Sequence, residues 1–359
     1  MRMSASPATS AEPARSSRAS SVDTMGMAAS RTRKQALTLG TLFVLLVGSC
    51  LAAISQGAVP IPVEHVLAIF ADRAGLSPML EIPQQHEVIV WNIRLPRVVL
   101  GALVGASLAV SGAAMQGLFR NPLAAPGLIG VSSGAALAAV ITLVLGTTVL
   151  ASIVGWLGTF AVPVAAFVGG VVTTVVVYRL ATRNGRTSVA TMLLAGIAIN
   201  ALAGAGTGLM IFLADDDQLR DVTFWTLGSL GRATWTNLAG AAPFMLLALC
   251  IAPFLMSSLN AMLLGEAEAR HLGVAVERVK QAVIGLAALG VGAAVAVTGV
   301  IGFVGLVGPH LLRLAVGPDH RLIISGAALL GGALLVKPIC SPASLLPLQS
   351  CPWALSLPS

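Results

Sequence analysis

The sequence predicts an all-α fold, a polytopic transmembrane helix bundle, and three observations predict it. Of 359 residues, 56% are hydrophobic and only 10% are charged, which is too apolar for a water-soluble chain of this size. The apolar residues gather into runs of about the length needed to cross a bilayer. The basic residues sit in short clusters between those runs, so the net charge of +7 reads as membrane topology and not as nucleic-acid binding.

Taken in order, residues 1–33 are rich in Ser, Ala, Arg and Thr with no apolar run, which predicts a disordered cytoplasmic tail; Met25 or Met27 is an alternative start. The run Ala36 to Ile54 predicts a first span and not a cleaved signal, because it lacks a small-residue cleavage site. Arg31, Arg33 and Lys34 before it place the N-terminus in the cytoplasm. Residues 55–92 are polar and proline-containing and lie outside. The span after Arg97 returns inward to the turn Arg120-Asn121-Pro122. Val131 to Tyr178 holds two spans with a reversal at 155–163, and Arg179, Arg183 and Arg186 mark the next loop as cytoplasmic. A span from Ser188 to Leu213 carries Asn200, expected to bond between helices. Asp215 to Asp221 follow as an outer loop, then Phe224 to Leu230 as a short interfacial helix. A span from Asn237 to Met256 leads to the charged loop 259–280, read as amphipathic helix, turn at Gly273 and second short helix. A further span starts at about Gln281, and an eighth opens on the Ser-Gly-Ala-Ala-Leu at 325–329.

Within the second span Gly101, Gly105 and Ala109 recur at four-residue spacing, with Gly112 three further on. One helix face therefore has almost no side chain, which lets another helix backbone approach closely. Loop 259–280 keeps Leu263, Leu264, Leu272 and Val274 among its charges, which a merely solvated loop has no reason to do; an apolar surface of this kind docks a partner. The stretches 111–139 and 298–332 each read as span, small-residue step, proline-bearing half helix and return span opening on Ser-Gly-Ala-Ala-Leu. With opposite entry directions this predicts an inverted-topology repeat; it places Pro309, His310, Arg313, Asp319, His320 and Arg321 on the outer side, and Gly308, Pro309 and His310 are expected to form a structural turn matching Arg120-Asn121-Pro122.

The same residues exclude other chemistry. Cys50, Cys250, Cys340 and Cys351 have no metal-ligand spacing, the five histidines form no ligand pair, and neither a resident metal nor a cofactor is expected. No GxxxxGK loop followed by Ser or Thr occurs, so ATP is not bound by that route. A membrane enzyme using His310, or His320 with Asp319, lacks a nucleophile or metal set. A gradient-driven secondary transporter would carry ionisable groups inside its spans, which are nearly free of them.

The ordered set Arg94-Leu95-Pro96-Arg97, then Ser111-Gly112 with Gln116, then Arg120-Asn121-Pro122-Leu123-Ala124-Ala125-Pro126 resembles the FecCD-type permeases, the membrane subunits of ABC importers for iron-siderophores, haem and cobalamin. The likeness runs from about Arg94 to Leu335. It implies a chain of about ten spans, of which about eight are present. It also implies a bacterial cytoplasmic-membrane location, a second permease subunit (a second copy or a paralogue), cytoplasmic ATP-binding subunits and an extracytoplasmic substrate-binding protein. Asn260, Leu264, Gly265, Glu266, Ala269, Leu272 and Gly273 match the coupling helices received by the ATPase. Arg94, Arg97 and Arg321 match arginines that pair with glutamates of the loaded binding protein. Without the likeness, Arg94 and Arg97 read as snorkelling anchors of a span. The implied substrate is led by ferric siderophore, with haem and cobalamin behind. Residues 34–336 form the permease domain. Residues 337–359 hold five prolines, cannot continue a helix and depart from the family. Read in another frame with free codon choice, that tail permits a family-like Glu-Leu-Pro-Val-Gly turn, so a frameshift near codon 337 is expected. If the tail is genuine, the chain is a truncated and inactive permease.

Overall fold

The computed structural model describes residues 14–57, 59–76 and 81–336. Helix α1 (Ala14–Ser55) leads through short helices α2 (Val63–Arg73) and α3 (Gln84–Val88) and a π-helical turn (Ile89–Arg94) into the central helix α4 (Leu95–Phe119). After a 3-10 turn (Pro126–Ile129) come α5 (Val131–Leu145), α6 (Ala151–Leu157) and α7 (Ala161–Ala181). A minimal hairpin, β1 (Thr182–Arg183) and β2 (Arg186–Thr187), precedes α8 (Val189–Leu213), α9 (Asp216–Thr226) and α10 (Trp235–Met262). The chain continues through α11 (Glu266–His271), α12 (Val276–Thr298), α13 (Val304–Val316) and α14 (His320–Val336). Six stretches, 33–55, 84–119, 151–181, 189–213, 235–262 and 276–298, are long and apolar enough to cross a membrane; α5, α13 and α14 are shorter apolar helices. All eight expected spans are therefore helical.

Helix α4 is the hub, buried over most of its length. Its small-residue face does what the spacing predicts. Gly101 faces Leu335 and Val336, Gly105 lies against the backbone of Gly331, and Gly112 lies against Gly305. The first two pairs run antiparallel along α14, whose first residue, His320, abuts Gly117, while Gly305 belongs to α13. Helix α1 flanks α14, with Leu42 beside Gly326 and Leu46 beside Gly332. Asn200 donates to the Gly127 carbonyl (3.1 Å) and its Oδ1 accepts from the Ser133 hydroxyl, tying α8 to α5. That is the helix-to-helix role expected of it.

Two short helices make the topology. Beyond α4 the chain doubles back over residues 120–130, so that α5 starts well inside the bundle, where Leu128 meets Gly196. Beyond α12 it doubles back over 299–303, so that α13 starts beside Leu108 and Gly112, halfway along α4. Gly299 (φ +73) makes that reversal; a Cβ there would lie 3.1 Å from the Gly228 Cα and 3.2 Å from the Trp225 carbonyl carbon. The inverted pairs are thus α4 with α12 and α5 with α13.

Several expectations are corrected. The second half helix does not stay at the outer side: α13 descends to the end of α4 that carries Arg120. Gly308 packs on Ala109, near the middle of α4, with Pro309 and His310 next in α13, while Asp319, His320 and Arg321 lie at that end, where His320 abuts Gly117; the Ser-Gly-Ala-Ala-Leu segments of α5 and α14 run in the same sense, so they are not inverted counterparts. Gly308, Pro309 and His310 form no turn but lie within α13. The expected disordered tail is helical from Ala14; no proline interrupts 14–55, and the helix of the first span continues backwards through it. The interfacial helix is α9, ending at Thr226, because Asp215 and Gln218 form a reciprocal capping box that starts it in the acidic stretch. The second short helix of loop 259–280 is the first turn of α12. The tail 337–359 lies outside the described residues.

Candidate docking ends and coupling site

The bundle has a basic end, carrying Arg120, Arg179, Arg183 and Arg186, and an opposite end, carrying Arg94 and the acidic start of α9. By the positive-inside bias the basic end is cytoplasmic.

Three loops converge at the basic end. In the first, Arg120 adopts the left-handed conformation (φ 49) that ends α4, and the Asn121 Oδ1 accepts the Leu123 N–H at 2.9 Å, folding Arg120-Asn121-Pro122 into the expected turn. In the second, Asn184 and Gly185 (φ 51 and 71) form the two-residue turn of the hairpin, as that dipeptide favours. The third is α11 with its flanking turns at Gly265 (φ 121) and Gly273 (φ 82). Here Leu264 and Leu272 stand 67% and 64% exposed while Ala269 is fully buried. The Arg120 guanidinium lies beside Gly265.

Beneath α11 sits Lys280, 1% exposed. Its Nζ donates to Glu266 (2.9 Å), to Glu277 (3.3 Å) and to the Thr187 carbonyl (2.7 Å). Glu277 also accepts the Thr187 N–H (3.0 Å), and Arg270 reaches Glu266 (3.4 Å) and Glu277 (3.7 Å). Two cations face two carboxylates, so the cluster is balanced, as a buried charge requires.

A second polar cluster joins five helices. Asn260 donates to Asp319 (2.9 Å), which also accepts from Gln35 (3.4 Å). The Asn260 Oδ1 accepts from the His320 backbone (2.8 Å) and lies 2.9 Å from its Nδ1. An amide oxygen cannot donate, so His320 carries its proton on Nδ1 and leaves Nε2 to accept from Arg313 (3.3 Å). Arg313 in turn donates to Gln116 (3.2 Å). Asn260 is thus engaged with α14 and is not presented to solvent alongside Leu264 and Leu272. His320 is fully buried, and Asp319 beside it is engaged with Asn260 and Gln35.

At the opposite end the expected arginine trio is not assembled. Arg94 is 8% exposed and donates to the carbonyls of Ile54, Ser55 and Val59. Its cation caps the C-terminus of α1. Arg97 is exposed. Arg321 is exposed as well, but it follows His320 at the basic end, about 35 Å from Arg97 along α4 at 1.5 Å per residue. Close by, Arg73 pairs with Glu87 (2.8 Å) and lies over the Trp91 ring. The Trp91 carbonyl accepts the Trp235 indole N–H (3.0 Å). Among the described residues no group of three metal-ligating side chains occurs.

This architecture has relatives. The FecCD transport family matches residues 44–340, from within α1 to the end of α14 and slightly beyond. The chain belongs to the FecCD transport family. The hemin transport system permease HmuU of Yersinia pestis is 44% identical over 84% of this chain and 85% of its own length. The cobalamin import system permease BtuC of Halobacterium salinarum is 40% identical over 83% and 82%. A solved inward-facing structure described as a metal-chelate type ABC transporter superposes with a TM-score of 0.71 at 28% identity, covering 83% of this chain and 87% of that one. This FecCD member is accordingly a multi-pass membrane protein and an ABC transport permease. Sequence reasoning missed Lys280 and the Gln116–Arg313–His320 chain. Lys280 was legible in principle, being three residues from Glu277 at the start of an apolar span. The second cluster joins residues up to 284 apart and had no local signal.

Proposed function

We propose that the chain is the membrane subunit of a binding-protein-dependent importer that moves a bulky metal chelate inward by alternating access, driven by separate ATP-binding subunits. The observation that carries this is α11. It presents Leu264 and Leu272 to solvent while Ala269, Glu266 and Lys280 hold its other face to the bundle, which is the arrangement of a stiff element awaiting a partner. Leu264, Gly265, Glu266, Ala269, Leu272 and Gly273 are its coupling residues, and Asn260 positions them from behind through α14. Arg97 supplies one cation for capture of the loaded binding protein. A second permease, copy or paralogue, completes the path in the bacterial cytoplasmic membrane.

Haem is the first cargo to test, since a hemin permease is among the most similar relatives; ferric siderophore, favoured by the sequence expectation, and cobalamin follow. The test is uptake into proteoliposomes holding the permease, its ATPase and its binding protein, with each chelate offered alone. ATP-dependent uptake of one chelate, lost in Leu264→Asp/Leu272→Asp, is expected. Uptake that persists without ATPase subunits would overturn the reading in favour of a gradient-driven carrier.

A further inference from the structure

Resting on the docking reading of α11, we infer that the β1–β2 hairpin is a second arm of the ATPase-docking face, and that Lys280 makes hairpin and coupling helix one rigid body.

Three observations combine. The hairpin tip presents Arg183 and Arg186, both exposed, and among the described residues neither makes an ion pair. The tip is not free to move independently of α11. Thr187 offers its carbonyl to Lys280 and its N–H to Glu277, while the same Lys280 holds Glu266, the first residue of α11. A lysine 1% exposed with partners on three separate elements costs desolvation that a simple loop would not need. Its geometric effect is to lock the connection between α7 and α8 to the one between α10 and α12. Finally, the hairpin adjoins the exposed leucines through this same cluster, so the docking face continues from an apolar part into a basic one. Its partner there is an acidic patch on the ATP-binding subunit, since paired unneutralised guanidiniums at an interface rim select carboxylates and speed capture. A push on α11 then reaches α7 and α8 together with α12, and does not bend one loop alone.

The test uses the full permease in nanodiscs with its ATPase. Arg183→Glu/Arg186→Glu changes only exposed side chains. In zwitterionic lipid it is expected to weaken ATPase association about tenfold at low salt, with the loss shrinking at high salt. Spin labels at Asn184 and Ala267, both exposed, are expected to keep one distance with and without ATP, and to lose that constancy in Lys280→Met. Unchanged association in zwitterionic lipid, or an effect confined to anionic lipid, would assign the arginines to the membrane surface and overturn the inference. A label distance that changes with ATP in the unmodified cluster would overturn it too. Leu264→Asp/Leu272→Asp separates the two levels: if that variant still binds the ATPase, the docking reading itself falls; if it fails to bind while the hairpin variant binds normally, only the hairpin arm falls.

Discussion

Replacing Gly105 by Ala puts the packing of the hub to a quantitative test. A Cβ there would lie 2.7 Å from the Gly331 carbonyl carbon and 3.0 Å from the Gly332 nitrogen. Carbon atoms in good contact stand about 3.5–4.0 Å apart, so α4 and α14 must separate by nearly 1 Å at this point. The obstacle is backbone on backbone, with no flexible side chain to give way. A gap of about 0.5–1 Å forfeits a quarter to a half of each contact's attraction, and overpacking of this kind costs about 1–3 kcal/mol. Against it stands the gain in helix propensity from Gly to Ala, about 1 kcal/mol. The net expectation is a loss of up to about 2 kcal/mol. The matched control is Gly285→Ala on α12, where a Cβ meets nothing within 4 Å; there the propensity gain of about 0.5–1 kcal/mol stands alone. Unfolding titration in mixed micelles, followed by tryptophan fluorescence, measures both. If Gly105→Ala gains as much stability as Gly285→Ala, the close approach of α4 and α14 does not hold the hub.

Other expectations concern single side chains. Arg94→Ala strips the charged donor from the carbonyls of Ile54 and Ser55 at the end of α1 and of Val59 beyond it and should cost about 3 kcal/mol in the same titration, whereas Arg97→Glu should change stability by less than about 0.5 kcal/mol. Arg97→Glu should instead weaken capture of the binding protein at low salt, read by surface plasmon resonance on nanodisc-held importer; equal capture would remove Arg97 from that surface. Asn260→Ala leaves Asp319 and His320 short of partners inside the bundle and should destabilise by about 2 kcal/mol, with ATPase association retained if the residue acts from behind α11. Leu264→Asp/Leu272→Asp should show the reverse pattern, a fold unchanged within about 0.5 kcal/mol and association weakened more than tenfold, measured by co-purification across a dilution series.

What could be read from the sequence followed from period and composition. The spans are long apolar runs, and Gly101, Gly105, Ala109 and Gly112 lie at helical spacing, so both the bundle and its tightest helix face were legible. So was the apolar character of Leu264 and Leu272, since solvated loops do not keep such residues. The side of the membrane reached by α13 was not legible, because 13 residues are too few for a span by hydropathy, and the descent depends on a reversal at Gly299 that has meaning only against Trp225 and Gly228. That single uncertainty carried Arg321 to the wrong end. Arg94 misled for a different reason: an arginine at the mouth of a span looks the same in sequence whether it faces a partner or caps a helix 40 residues earlier in the chain. Its burial decides, and burial is a property of the assembled fold.

The reversal into α13 has a consequence for what this chain can have as neighbours. Gly302 and Phe303 are exposed, and Phe303 holds a left-handed backbone (φ 64), at a level halfway along α4. Peptide groups outside a helix at that depth cannot be left against hydrocarbon, where nothing can hydrogen-bond to them. The carbonyls of Gly302 and Phe303 are satisfied within the chain, by the N–H of Val304 and by those of Leu306 and Val307, and what remains at the reversal calls for water or another protein surface. A setting of acyl chains alone therefore does not suit this reversal, and the main chain itself, independently of any step of transport, asks for a wet or protein-lined face at this depth.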